Sequence, residues 1–211
     1  IIHEVKTMKI EIWADYACPF CYIGKTTLEQ ALDHTGLDNV EVVYKAFQLD
    51  PNAPKESNEN TITHLAHKYG VSIREAQGMV ENVIQHGKRV GLDLNFEKVN
   101  QTNTFDAHRL TKLAQSLNLD SDLNRRLYKA YFTEGINLAS LDELSKISME
   151  LGIDSNEVLN SDRYEKEVKR DIEEAYRKGI NAVPYFLIDG KTAIKGAQPL
   201  ERFIQILNQV K

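Results

Sequence analysis

Cys18 and Cys21 are the only cysteines in the 211-residue chain, and just Pro19 and Phe20 stand between them. A bridge across so short a loop restricts little of the unfolded chain, so it adds little stability while changing redox state readily. The attacking species in disulfide exchange is a thiolate, and a free cysteine is mostly protonated at neutral pH. An apolar alternating run from Met8 to Ala14 enters the pair, and a helical pattern from Tyr22 to Leu32 leaves it. That order puts Cys18 at a helix N-terminus, where unsatisfied N–H groups and the positive end of the helix dipole favour a thiolate. Pro19 suits the first helical turn, where no backbone donor is needed. Cys18 is therefore the expected nucleophile, and Cys21, one turn on, the resolving thiol that releases a mixed disulfide.

Competing chemistries fit these residues less well. Tetrahedral zinc and iron–sulfur sites take four ligands, and the chain has no further cysteine to supply them. His64 and His67 lie one turn apart on a predicted helix without an obvious third ligand, and read as a solvated face. No metal and no built-in cofactor is expected. A structural role for two buried cysteines is the plain alternative, and the strand–turn–helix setting weighs toward redox. Among the neighbouring aromatics, Phe20 sits between the thiols and is expected to meet substrate, whereas Trp13, Tyr16 and Tyr22 read as core.

Net charge is −5, with 42% hydrophobic and 27% charged residues. No basic surface points to nucleic acid or an anionic membrane, and no apolar run approaches the roughly 20 residues that span a bilayer. Residues 1–7 lack the basic start, apolar middle and cleavage site of a secretory signal. They read as a leader outside the fold, and a cytoplasmic protein is expected.

The elements that must position the thiols follow from periodicity. Lys9–Trp13 predicts a first strand, and residues 40–47, rich in β-branched and aromatic types, a second. From residue 60 the pattern turns helical: a helix over 60–69 ending at Gly70, then one opened by the capping box Ser72–Glu75 and burying Met79, Val80, Val83 and Ile84. A brief extended piece is expected at 92–96, a helix capped by Asn103 or Thr104, another ending near Gly135, and a second capping box at Ser140–Glu143. A charged helix over 162–178 alternates sign and predicts a solvated face. The chain returns to β at 184–188 and 192–195 across Asp189–Gly190, a hairpin signal, and closes on a helix burying Phe203, Ile204, Leu207 and Val210. The reading is an α/β protein, a thioredoxin fold with an inserted α-helical subdomain: residues 8–58 and 160–211 form the discontinuous thioredoxin-like domain, and 59–159 the insertion.

The stretches Asp15-Tyr16-Ala17-Cys18-Pro19-Phe20-Cys21-Tyr22-Ile23-Gly24, Asn103-Thr104-Phe105-Asp106-Ala107-His108-Arg109-Leu110, Ala130-Tyr131-Phe132-Thr133-Glu134-Gly135, Gly179-Ile180-Asn181-Ala182-Val183-Pro184-Tyr185-Phe186 and Lys195-Gly196-Ala197-Gln198 resemble, in order, the DsbA-family oxidoreductases. Within that family the chain looks most like the FrnE branch, also described as polyketide-biosynthesis dithiol-disulfide isomerases. The resemblance implies that Cys18 and Cys21 are the redox pair and that Val183–Pro184 is a cis peptide facing them. It also implies that Pro19, Phe20, Val183 and Pro184 help bind substrate. Pro184, which on its own reads as an ordinary proline opening a strand, gains its interest from this resemblance. His108 and Asn103 are possible accessory residues, with His108 expected to orient Asn103 or a backbone group.

The expected activity is thiol-disulfide exchange or isomerisation on protein or small-molecule thiols, with glutathione or another low-molecular-weight thiol as possible co-substrate. No nucleic-acid or membrane partner is expected, and the protein would act as a monomer or homodimer. The alternative is a glutathione-dependent isomerase or transferase, related to 2-hydroxychromene-2-carboxylate isomerase and kappa-class glutathione transferases. Those enzymes characteristically place a serine where this chain has Cys18.

Overall fold

A computed structural model describes residues 7–210; most of the expected leader, residues 1–6, lies outside them. Strand β1 (Met8–Ala14) alternates Ile10 and Ile12 toward one face, while Trp13 points to the other. Helix α1 (Pro19–Thr35) follows at once and ends at Gly36, whose left-handed φ of 59° closes the last turn. Strand β2 (Val40–Ala46) pairs parallel with β1 in full register, Met8 opposite Val40 and Ala14 opposite Ala46.

The helical block then intervenes: α2 (Thr61–Tyr69), α3 (Ile73–Arg89), α4 (Phe105–Ser116), α5 (Asp120–Lys129) continuing into a π-helical turn at Ala130–Glu134, α6 (Leu141–Glu150), α7 (Asn156–Leu159) and α8 (Glu165–Arg177). Ser72 and Glu75 form the reciprocal capping box that their spacing predicts. Ser140 caps α6 by accepting from the Glu143 N–H.

Strand β3 (Tyr185–Ile188) pairs antiparallel with β1, and β4 (Thr192–Lys195) with β3. Asp189 (φ 49°) and Gly190 (φ 67°) are the central residues of the turn between them, closed by the Lys191 N–H donating to the Ile188 carbonyl, and both lie in the left-handed region. Helix α9 (Leu200–Val210) completes the chain. Among the described residues the sheet order is β2-β1-β3-β4, with one parallel pairing and two antiparallel. This is the thioredoxin arrangement, with helices inserted between its halves. One face packs Leu28 of α1 and Phe203 and Leu207 of α9 against Ile10, Ile12 and Phe186. On the other face Trp13, Phe47 and Leu187 meet Ala175 of α8.

Several expectations need correction. Residues 92–96 form no strand; the Asn95 N–H is held by the carbonyl of Phe132 instead. Met79 is 40% exposed, while Val83 and Ile84 are only half-buried. In α9 it is Ile206 that is buried, with Ile204 and Val210 at the margin. The charged helix begins at Glu165, three residues late, because Arg109 gathers the chain before it. Its guanidinium donates to the carbonyls of Val158, Ser161 and Arg163, and Tyr164 turns to a φ of 67°. One of that helix's charged residues leaves the solvated face. Asp171 is buried, accepts from the Ala46 N–H at 2.9 Å and pairs with Lys112 at 2.5 Å.

Candidate active site

The turn between β1 and α1 is shaped by Asp15. Its backbone carbonyl accepts from the Cys18 N–H at 3.1 Å and from the Tyr128 hydroxyl at 3.2 Å. Its carboxylate is almost fully buried and accepts three times: from the Thr104 hydroxyl at 2.7 Å, the Leu49 N–H at 2.8 Å and, more weakly, the Ala17 N–H at 3.4 Å. Three separate chain segments thus converge on one side chain. Thr104 spends its hydroxyl on this contact, so it caps α4 only by position, and the Asn103 side-chain oxygen takes the Phe105 N–H instead.

Cys18 occupies the N-cap of α1 in an extended conformation (φ −101°, ψ 110°), with Pro19 inside the first turn. No side chain caps this helix end, so the first-turn N–H groups and the dipole face the region of the thiol. Both cysteines are free thiols. They differ in access: Cys18 is 6% exposed and Cys21 1%. Burial pushes the Cys21 thiol well above the usual thiol range, and its hydrogen bond with Cys18 and the nearby Cys18 charge add to the shift. The outer sulfur is therefore the one a substrate can reach, and the inner one stays protonated until it is needed.

The Val183–Pro184 peptide is cis, as the resemblance implies. The Val183 carbonyl lies 3.9 Å from the Cys18 sulfur, within reach of a weak S–H hydrogen bond. Pro184 is buried rather than displayed. Its ring packs on α1 at Gly24, where an added Cβ would come within 3.0 Å of the proline Cγ and 3.2 Å of Phe186. Glycine here allows the close approach that brings the Val183 carbonyl to the thiol.

Behind the turn lies a polar and aromatic cluster. Tyr16 shares a 2.5 Å hydrogen bond with Thr111 and accepts from Asn124 at 3.1 Å; Tyr22, Tyr128 and Phe132 stack beside it. Burial pushes the hydroxyls of Tyr16 and Tyr128 upward, so both act as neutral hydrogen-bonding groups. His108 belongs to this cluster and does not orient Asn103. Its ring packs against Tyr16 at 5.0 Å, and its Nε2 lies 3.4 Å from the Asp15 carboxylate without the alignment of a hydrogen bond. Asn103 instead donates to the carbonyls of Pro51 and Ala53, tying the loop after β2 to the start of α4.

In front of the turn is a cavity of about 290 Å³. Cys18, Pro19 and Phe20 form one wall, and α2, α3 and the π-helical turn form the others. Phe20 is half-buried and meets the ring of His86 on α3 edge-on at 6.0 Å. The site residues separate accordingly: Cys18, Pro19 and Phe20 line the cavity, while Val183 and Pro184 flank the thiol from the sheet side. His64 and His67 both turn to Glu59, at 3.3 Å and 2.7 Å, and these hydrogen bonds lower its carboxyl below the usual range. Among the described residues no group of three His, Cys, Asp or Glu is placed to hold a metal ion, and no helix is long and apolar enough to cross a membrane.

The types and spacing of Asp15 and Thr104 do not by themselves mark them as site residues. An acid three residues before the first cysteine was the available signal, but its partners lie 34 and 89 residues away.

Comparison with known proteins finds a family model described as a DSBA-like thioredoxin domain matching residues 9–208. An uncharacterised protein of Bacillus subtilis (strain 168), YwbO, is 31% identical over 196 residues, covering 90% of this chain and 91% of that protein. The crystal structure of a "probable DsbA oxidoreductase" from Streptomyces coelicolor superposes with a TM-score of 0.90 at 35% identity, covering 96% of this chain and 89% of that one. A cytosolic disulfide reductase of Pseudomonas aeruginosa, DsbM, solved with glutathione, shares the fold at a TM-score of 0.68 and 14% identity, covering 96% and 98%.

Proposed function

The chain belongs to the DSBA-like thioredoxin domain family, and from that premise we propose that it is a dithiol-disulfide oxidoreductase of the FrnE-like branch, exchanging disulfides through Cys18 and Cys21. The observation that carries this reading is the unequal placement of the two thiols: Cys18 at a helix N-terminus beside an open cavity, Cys21 sealed one turn behind it.

The chemistry follows in two steps. The Cys18 thiolate attacks one sulfur of a substrate disulfide. The substrate S–S bond breaks, and the departing thiolate leaves with the electron pair and takes up a proton. Cys21, giving its proton to solvent or a nearby base, then attacks the Cys18 sulfur. It forms the Cys18–Cys21 bridge and expels the second substrate thiolate. The substrate gains two electrons and the protein loses two; a low-molecular-weight thiol such as glutathione restores the dithiol, and the reverse sequence oxidises a dithiol substrate. Isomerisation needs only the first step and its reversal at a different substrate sulfur.

In this reading Pro19 and Phe20 meet the substrate on the cavity side, and the Val183 carbonyl and Pro184 border it on the other. Asn103 and His108 act indirectly, through the loop after β2 and through Asp15. Residues 59–159 would form the inserted helical subdomain, with 8–58 and 160–211 as the thioredoxin-like domain, and the site of action would be the cytoplasm.

Reduction of insulin by the wild-type protein and by Cys18→Ser, with dithiothreitol as the reductant, tests the reading. Cys18→Ser is expected to fall to the uncatalysed rate. Full activity in that variant would overturn the mechanism, and glutathione-dependent turnover surviving it would favour the glutathione-dependent isomerase or transferase instead.

A further inference from the structure

The cavity in front of Cys18 has a composition that disulfide exchange alone does not require. Its inner walls are mostly apolar, with Leu65 of α2, Val80 and Val83 of α3, Phe96, and Phe132 of the π-helical turn, and the buried Asp15, Thr102 and Thr104 are the polar groups among them. Its rim carries Leu49, Tyr69 and Met79, which are 46%, 56% and 40% exposed and stand among the most exposed large apolar side chains of the protein. Apolar groups gathered around one concavity mark a binding site rather than scattered surface. At about 290 Å³, the space sits at the small end of the roughly 300–1,000 Å³ of ligand pockets. It is large enough for one compact apolar group. The cavity also ends on the reactive sulfur, so whatever fills it productively must itself carry sulfur.

Resting on the exchange chemistry above, we propose that the preferred substrates are small-molecule thiols and disulfides bearing a compact apolar group next to the sulfur, with that group seated between α2, α3 and the π-helical turn. The Cys18 thiolate attacks the sulfur that carries the apolar group. The substrate S–S bond breaks, the polar half leaves as a thiolate and is protonated, and the apolar half stays in the cavity as a mixed disulfide with Cys18. Attack by Cys21 on the Cys18 sulfur expels it as the apolar thiolate, and a dithiol reductant resets the pair.

The test uses alkyl 2-hydroxyethyl disulfides from methyl to octyl, with dithiothreitol as reductant. The alkyl thiols differ little in intrinsic reactivity, so length reports the cavity. Each methylene buried contributes about a three- to fourfold gain in affinity, so kcat/KM is expected to climb by up to that factor per carbon and then level off once the space is full. Met79→Arg at the rim and Val83→Phe within the wall are each expected to flatten the climb. The climb is a ratio within one preparation, so partial loss of folded protein does not alter it. A flat series in the wild-type protein would overturn the proposal while leaving disulfide exchange intact, and so would a peptide disulfide turned over better than every member.

A second arm needs no turnover. Alkyl methyl sulfides of the same lengths cannot exchange, and they are expected to slow iodoacetamide alkylation of Cys18 progressively with chain length, read by mass spectrometry. Protection without disulfide turnover would support the ligand class and overturn the exchange reading. Absence of length-dependent protection would overturn the ligand class.

Discussion

The two sides of the Cys18 turn are built on opposite principles. In front, apolar side chains from helices far apart in sequence surround open space. Behind, Tyr16, Thr111, Asn124 and Tyr128 pack around a void of only about 10 Å³, and hydrogen bonds through Asp15 and Thr104 form the seam where this network meets the cavity. A buried hydrogen-bonded network specifies one arrangement and is costly to break, whereas an apolar cavity accepts any group of suitable size. The rear fixes where the nucleophile stands, and the front decides what reaches it. Substitutions in front should therefore alter turnover with little effect on stability, and those behind should do the reverse.

Cys18→Ser gives the largest expected difference. Exchange falls to background, while unfolding in urea shifts by no more than about 1 kcal/mol, since the side chain keeps its size. Asp15→Ala probes the hydrogen bonds at the seam between the cavity and the network behind it. It strands the Thr104 hydroxyl in a buried setting and the Leu49 N–H in a half-buried one, at up to about 1–3 kcal/mol for each unsatisfied group. A loss of about 3 kcal/mol lowers the melting temperature of a protein this size by about 6–12 °C. An Asp15→Ala protein that melts like wild type would remove the distinction between the two sides.

Gly24→Ala sits between them. Its new Cβ meets Pro184 and Phe186 at 3.0 and 3.2 Å, and overpacking of this kind costs about 1–3 kcal/mol. Because the displaced loop carries the Val183 carbonyl, calorimetry and insulin reduction on the same variant should both register the change.

A smaller effect is expected from pH. Burial raises the Cys21 thiol, so above the ordinary thiol value near 8.5 the unfolded chain releases a proton that the folded one retains. The stability of the reduced protein is complete below that pH and declines above it, by at most about 1.4 kcal/mol per pH unit from this group. Urea midpoints measured between pH 8.5 and 10 should show a shallower decline in Cys21→Ser.

Much of the scaffold could be read from local signals, because its caps and periods are local. Asn60, the Ser72–Glu75 box, Gly36, Gly70 and the Asp189–Gly190 turn mark boundaries with residues whose partners lie a few positions away. Cys18, Cys21 and their helix were legible for the same reason. The misreadings involve distant partners. Met79 fits the apolar stripe of α3 by spacing, yet that stripe faces a cavity, which no helical period can announce. Asp171 looks like one more charge on a polar helix until Ala46 and Lys112 arrive from other segments. Arg109 delays the start of α8 from more than fifty residues upstream. Asp15 joins the site through contacts to Leu49 and Thr104, which only the fold supplies.

The central claim is that Cys18 attacks and Cys21 resolves. Incubating Cys21→Ser with bis(2-hydroxyethyl) disulfide and reading the protein by intact mass and peptide mapping tests it most directly. A single stable 2-hydroxyethylthio adduct, a mixed disulfide, is expected on Cys18, with rapid loss of that adduct in the wild-type protein as the Cys18–Cys21 bridge forms and 2-mercaptoethanol leaves. An adduct on Cys21 of the Cys18→Ser variant, formed as fast as the one on Cys18 of the Cys21→Ser variant, would contradict it.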